Sequence, residues 1–191
     1  LDGDTLTVDP SDPAFDSIAE GSSRTITVDY TISDGFGGSV AQTAEVTIDG
    51  VNDAPTVANT IADQNATEDS EFSFTLPSNT FADVDADDSL TYTATLSDDS
   101  ALPAWLTFNA ETGEFSGTPE NSDVGEIEVK VTATDDSDAS VSDTFTLTVE
   151  NTNDAPTSED DHVTMTSDET EKVLALTDFG TFSDPDTGDT L

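Results

Sequence analysis

The chain repeats itself at a fixed offset of 101 residues, which confines it to modules of about 100 residues, each with its own core. Asn52-Asp53-Ala54-Pro55-Thr56 returns as Asn153-Asp154-Ala155-Pro156-Thr157, and Glu68 returns as Glu169. Phe81, Asp83, Asp85, Asp88 and Leu90 return as Phe182, Asp184, Asp186, Asp189 and Leu191. Between positions 33–90 and 134–191, 17 of 58 residues are identical, and seven of the 17 are Asp, Glu or Asn. A repeat that keeps its oxygen-bearing side chains while other positions drift reads as a series of metal-bound modules.

Within a repeat the apolar residues alternate. Ile26, Val28, Tyr30 and Ile32 do so, as do Ala44, Val46 and Ile48, then Phe72, Phe74 and Leu76, then Leu90, Tyr92, Ala94 and Leu96. Ile127, Val129, Val131 and Ala133 follow, and after them Phe145, Leu147 and Val149. Each run places an apolar face on a core and a Thr/Ser/Asp face in water, the period of antiparallel strands, and no stretch carries a helical period. Gly, Pro, Asn and Asp clusters such as 33–38 and 135–138 separate the runs and supply turns. The expected fold class is therefore all-β, with antiparallel β-sandwich modules in tandem. The alternation argues against disorder, which high charge and 33% hydrophobic residues would otherwise allow.

The two Asn-Asp-Ala-Pro-Thr segments lie between β-runs and contain a proline that no central strand accepts, so they read as linkers. Residues 53–155 then form one complete module, residues 1–52 the C-terminal half of another, and residues 156–191 the N-terminal half of a third. The two partial pieces are roughly complementary. They are expected to pack on one another within the chain or between molecules, because a bare half-sandwich exposes its core and its strand edges.

Three Lys plus Arg against 43 Asp plus Glu give a net charge of −40, which excludes nucleic acid and anionic membrane as partners and favours cations. With no cysteine there is no disulfide framework, so bound ions are the cross-link left to an extracellular module. No apolar run approaches the ~18 residues of a transmembrane helix. Asp83, Asp85, Asp87 and Asp88 on one short segment, and Asp184, Asp186 and Asp189 on the next, suit Ca²⁺, which takes six to eight hard oxygens. The pattern is not an EF-hand, since Asp88 stands where the loop glycine belongs and Ala94 where the closing glutamate belongs. Mg²⁺ demands a tighter octahedron, and Zn²⁺ is poorly served by one His and no Cys. A merely solubilising acidic surface would scatter its charges over exposed strand positions. Here many are gathered at strand ends and linkers, where they repel one another unless a cation intervenes.

The linker Asn-Asp-Ala-Pro, the glutamate that follows it and the later Asp-x-Asp resemble cadherin-like repeats. Leu102-Pro103-Ala104-Trp105-Leu106-Thr107-Phe108, with Thr112-Gly113-Glu114-Phe115-Ser116-Gly117-Thr118-Pro119, resembles the dystroglycan-type cadherin-like domain over residues 56–155. The flanking pieces resemble the tandem repeats of large bacterial RTX adhesins exported by type I secretion. The resemblance implies Ca²⁺ at module junctions, with Asn52, Asp53, Glu68, Asp83, Asp85, Asp88 and Asp135 assigned to the central module and its upstream junction. Asn153, Asp154, Glu169, Asp184, Asp186 and Asp189 repeat them downstream, and Asp34 is the upstream counterpart of Asp135. The glycine of Asp34-Gly35 is not kept in Asp135-Asp136, so the two turns are expected to differ in backbone shape.

The function implied is that of an extracellular, cell-surface or secreted calcium-binding adhesin module. Ca²⁺ rigidifies its junctions with neighbouring repeats, and the central domain takes a peptide or glycan ligand. The alternative is a carbohydrate-binding spacer module of a secreted polysaccharide-active enzyme. Trp105, Phe108 and Phe115 read as core. His162 has no partner residue for metal or base chemistry, no Ser or Thr has an indicated base, and no carboxylate pair is singled out, so no catalytic activity is expected.

Overall fold

The computed structural model describes residues 7–86, 88–158 and 182–186. The first element is a long hairpin, β1 (Ser23–Ser33) with β2 (Ser39–Asp49), in unbroken antiparallel register from Ser23↔Asp49 to Ser33↔Ser39. The central module follows with β3 (Thr56–Val57), β4 (Gln64–Thr67), β5 (Phe72–Thr75), β6 (Phe81–Ala82), β7 (Thr91–Leu96), β8 (Leu106–Asn109) and β9 (Glu114–Gly117). A single 3-10 turn at Asn121–Asp123 leads into β10 (Gly125–Thr134) and β11 (Ser140–Glu150). Two short strands, β12 (Thr157–Ser158) and β13 (Phe182–Ser183), pair beyond the second linker. No helix among the described residues is long and apolar enough to cross a membrane.

One sheet has the order β4-β11-β10-β7 and the other β5-β9-β8. Their facing sides make the core. Phe115, Val129, Val131, Ala133 and Leu147 are fully buried, with Phe72, Leu106, Phe145 and Val149 close behind. Burying each of the larger side chains contributes about 1.5–3 kcal/mol. Phe145 of the first sheet meets Phe74 and Phe115 of the second at ring separations of 5.7 Å. The opposite faces carry Glu126, Glu128, Thr132 and Ser142, as the alternation requires. Trp105 lies half-buried, edge-on to Phe72, so it packs with the core as expected. Gly117 is a steric requirement of that packing, since a Cβ there would lie 1.8 Å from the Trp105 carbonyl oxygen.

One departure from a purely antiparallel sandwich positions the candidate site. β4 runs parallel to β11, from Gln64↔Leu147 to Thr67↔Glu150, and Glu68 N–H donates to the Glu150 carbonyl at 3.1 Å. The residue after β4 is thereby laid beside the exit of β11, where the second linker begins.

Among the described residues β1 and β2 pair only with each other, as do β12 and β13. Tyr30, Ile32 and Val40 stay exposed on the hairpin. Most of 157–191, and with it the expected packing of that segment on residues 1–52, lies outside the described residues.

Candidate metal centre

Two carboxylate clusters form, at opposite ends of the central sandwich. At the upstream end the loop after β6 turns tightly because Asp85 N–H donates to Asp83 Oδ1 at 2.9 Å. The linker is pinned to this loop by Asp53 N–H, which donates to Asp85 Oδ2 at 2.8 Å. Asn52 Nδ2 donates to the Asp53 carbonyl at 3.0 Å and to Asp135 Oδ2 at 3.1 Å. Asp135, at the turn between β10 and β11, spends Oδ1 on the N–H groups of Ser137 and Ala139. The neighbouring Asp136 accepts the Ser89 hydroxyl at 2.8 Å.

After these bonds, one oxygen each of Asn52 (Oδ1), Asp83 (Oδ2), Asp85 (Oδ1) and Asp88 (Oδ2) is buried with no hydrogen-bond partner. Asp83, Asp85 and Asp88 bring ligand atoms within 4.8 Å of one another. Buried polar atoms are almost always satisfied, and a carboxylate can only accept, so the missing partner must be a donor or a cation. Burial, and then the charges of Asp85, Asp136, Asp83 and Asp135, push the Asp88 carboxyl above its usual range. Burial also opposes the charge of Asp135, but the hydrogen bonds from Asn52, Ala139 and Ser137 outweigh it and lower that carboxyl.

At the downstream end the same scaffold recurs. Asp154 N–H donates to Asp186 Oδ2 at 2.7 Å, Asp186 N–H donates to Asp184 Oδ1 at 3.0 Å, and Asn153 Nδ2 donates to the Asp154 carbonyl at 2.9 Å. Here the cluster is Glu68, Asp69 and Asp154, again with ligand atoms within 4.8 Å. Glu68 is 1% exposed, and neither of its carboxylate oxygens has a hydrogen-bond partner. Burial, then the charge of Asp154, with Asp186 and Asp69 adding less, pushes Glu68 up; the Thr152 backbone N–H, which approaches without hydrogen-bond geometry, offsets this only in part. Asp154 is raised by burial and by Asp69, Asp186 and Asp184. Asp69 adopts the left-handed conformation at φ 58, with its N–H donating to the Pro119 carbonyl at 2.9 Å. Asn121 Nδ2 closes the set by donating to Asp186 Oδ1 at 3.0 Å.

Glu68 therefore parts company with Asn52, Asp53, Asp83, Asp85, Asp88 and Asp135. The parallel β4–β11 pairing carries it to the downstream end of the module. Asp34 accepts the N–H groups of Phe36 and Gly38 as Asp135 accepts those of Ser137 and Ala139, yet it stands in neither cluster. The two turns do differ in backbone: Gly35 has φ 74 whereas Asp136 is not left-handed. Asp53 lends its backbone rather than an identified ligand atom, and Asn153 stays exposed. Glu169 and Asp189 lie outside the described residues.

The repeat pattern does not single out Asp69, Asp136 or Asn121. The 101-residue offset maps Asp69 to Thr170, Asp136 to Gly35 and Asn121 to Glu20, so the criterion of recurrence passes over all three.

No curated protein matches the chain. Among solved structures, protocadherin gamma B7 extracellular cadherin domains 1-4 are similar at 16% identity and TM-score 0.49, over 88% of this chain and 42% of theirs. Protocadherin gamma B2 extracellular cadherin domains 1-5 give 13% and 0.49, over 87% and 32%. An endo-fucoidan hydrolase of glycoside hydrolase family 107 gives 27% and 0.42, over 71% and 19%. The chain thus spans less than half the length of each. The family model described as "Putative Ig domain" matches residues 54–150, just over half of the chain and the stretch that holds both sandwich sheets. The chain belongs to this Ig-domain family.

Proposed function

We propose that the chain is a calcium-binding extracellular adhesin module of an RTX-type surface protein, in which Ca²⁺ stiffens the joints between successive sandwiches. Residues 53–155 are read as the complete module, with partial modules at 1–52 and 156–191. The observation that carries the proposal is Glu68, a carboxylate removed from water with both oxygens unpaired and two further carboxylates in ligand range. A buried charge left in that condition is strongly unfavourable, and an oxygen-only donor set answers to a hard cation. Glu68, Asp69 and Asp154, with Asp186 alongside, would hold one ion. Asn52, Asp83, Asp85 and Asp88 would hold another. Bound there, the ion supplies charge neutralisation across a joint and no reaction, which suits a mechanical rather than a catalytic role.

Each ligand set draws on segments distant in sequence, so occupancy fastens linker, sandwich and neighbour together. An array stiffened in this way projects a binding region, with a peptide or glycan on another surface as partner. A cation that binds only the folded chain stabilises it by about 2.7 kcal/mol per site at a hundredfold excess over Kd. Thermal unfolding followed by Trp105, the single tryptophan, is expected to shift down by many degrees in chelator. Ca²⁺ restores the midpoint and Mg²⁺ restores little of it. An unchanged melting curve in chelator, with no heat of Ca²⁺ binding by calorimetry, sinks the reading.

A further inference from the structure

The turn after β7 leaves one side of the sandwich open. Leu96 N–H donates to the Ser100 carbonyl at 2.9 Å, Asp98 Oδ1 accepts both the N–H and the hydroxyl of Ser100, and Asp99 is left-handed at φ 70. The chain then crosses through Pro103 to become β8 of the other sheet, instead of returning beside β7. Among the described residues β7 is therefore an outer strand paired only with β10, and β8 an outer strand paired only with β9. Between the two edges lies a groove of about 590 Å³, with Tyr92 and Ala94 on one wall and Leu102 and Phe108 on the other. Tyr92 packs on Phe81 at a ring separation of 6.0 Å and Phe108 on Phe115 at 4.5 Å, so the aromatic walls are held from behind and the groove is preformed.

The backbone of β7 offers bonds along the rim of this groove. Ser97 N–H donates to the Glu128 carbonyl on the β10 side at 3.0 Å, whereas Leu96 N–H points the other way. Antiparallel pairing alternates, so in the register Thr95↔Lys130 to Thr91↔Thr134 the threonines bond β10 while Ala94 and Tyr92 turn their N–H and C=O groups outward. The same two residues that line the groove thus carry unpaired backbone groups at its lip. An added strand could bond there and drop alternate side chains between the sheets.

Of the four outer strands of the sandwich, β7 is the least guarded. It spans six residues against four in each of β4, β5 and β8. Charges and prolines are what blunt an edge: β4 is bracketed by Asp63 and Glu68, and β5 by Glu71 and Pro77. Residues 89–97 contain neither.

The charge around the edge selects the occupant. Asp136 is bonded to Ser89 just before β7, and Asp98 and Asp99 follow it, with Lys130 paired to Asp99. A second copy of a chain with net charge −40 is repelled from such an edge, and a basic segment is drawn to it. We propose that the outer edge of β7 takes an extended, basic peptide as an added strand, its backbone bonded to Tyr92 and Ala94 and its apolar side chains seated against Tyr92, Leu102 and Phe108. This rests on the reading of the chain as an adhesion module and names the place and chemistry of its peptide partner; it does not depend on the cation.

The test uses the whole chain and a capped, dye-labelled peptide, Lys-Val-Thr-Val-Thr-Val-Lys, with binding followed by fluorescence anisotropy in Ca²⁺ and in chelator. Saturable binding is expected, with amide hydrogen exchange slowed at Tyr92 and Ala94 and unchanged along β4. Glutamate in place of both lysines should weaken binding about tenfold or more. Ala94→Pro removes one outward N–H at an edge position where proline is accepted, and should weaken binding about tenfold. Ala94→Leu keeps that N–H but fills the groove, and should weaken binding as much; it carries the test if the Trp105 melting curve shows that Ala94→Pro does not fold. No binding by the wild-type chain, or affinity unchanged in Ala94→Leu, overturns the proposal. So does a dimer in sedimentation that Ala94→Leu abolishes, because the edge then belongs to a second copy. Peptide binding by a chain that takes up no Ca²⁺ sinks the cation reading and leaves the edge site standing, and Ca²⁺ uptake without peptide binding does the reverse.

Discussion

The hairpins β1–β2 and β10–β11 are one design placed 101 residues apart, and they live in different surroundings. β2 maps residue for residue onto β11, and Ser33↔Ser39 maps onto Thr134↔Ser140, so the register agrees and the strand lengths agree to within one residue. In the second hairpin Val131 and Leu147 are fully buried and both edges are paired, by β7 and by β4. In the first, the counterparts are Tyr30, 42% exposed, and the half-buried Val46, and both edges are free among the described residues. Alternation and turn chemistry are thus enough to write a hairpin. What makes it the spine of a sandwich is the second sheet laid across it.

The largest effect should separate the two hairpins at one matched position. Leu147→Ala opens a cavity in a closed core and is expected to cost about 2–5 kcal/mol in urea unfolding read by Trp105. Val46→Ala removes apolar surface that is already partly wet, and should change the Trp105 transition by less than about 1 kcal/mol. Equal shifts for the two variants would break the comparison, because they would make the first hairpin part of the same cooperative unit as the central core.

The sequence made the strands legible because a period of two and a turn cluster are local properties, and each alternating run named above falls at a strand or its flank. It also marked Asp83, Asp85 and Asp88 as a group, since they share one short loop. It could not say which acids meet across the fold. Glu68 and Asp154 are brought together by a parallel strand pair, whose partners lie far apart in the chain and carry no local signal. Asp69 enters the cluster through a left-handed backbone and does not recur, and Asn121 enters through a 3-10 turn. Asp34 shows the converse limit. Its sequence and its hydrogen bonds match those of Asp135, but among the described residues no second sheet packs on the first hairpin to surround it. Recurrence identifies a scaffold position, and only packing brings it into a carboxylate cluster.

That distinction sets the next test, in which the same substitution is made at the two turns. Asp135→Ala deletes three accepted hydrogen bonds at a buried position, including the one that holds Asn52. In Ca²⁺ it should lower the melting temperature of the Trp105 transition by several degrees, and it should weaken one class of sites. Asp34→Ala deletes the two N–H bonds of an exposed turn and should leave both readouts where they were. A loss of Ca²⁺ sites on Asp34→Ala would show that the first turn reaches a cation after all.

The smallest effect is a dependence on pH that changes sign with the cation. In chelator, Glu68, Asp88 and Asp154 hold their protons above the ordinary carboxylate range, because burial and neighbouring carboxylates disfavour the charge. A carboxyl whose folded value is raised gives its full stabilisation below the unfolded value and loses it as pH rises through the folded one. The stripped protein should therefore melt at progressively lower temperature as pH climbs from the ordinary carboxylate range through those raised values. Asp135 acts in the opposite sense. Its lowered value contributes stability above the unfolded value and is lost as pH falls through the folded one, so the curve turns down again in stronger acid. Ca²⁺ binds the ionised form, so in its presence the decline on the high-pH side should vanish and affinity should rise across the same interval. Hydrogen exchange of the β1–β2 amides, on a hairpin that carries none of these four groups, should follow neither limb. A stripped protein whose Trp105 transition grows steadily more stable from acid to neutral pH would mean that the two clusters are already neutralised by something other than a cation, and that the ends of the sandwich differ from the bare hairpin only in packing.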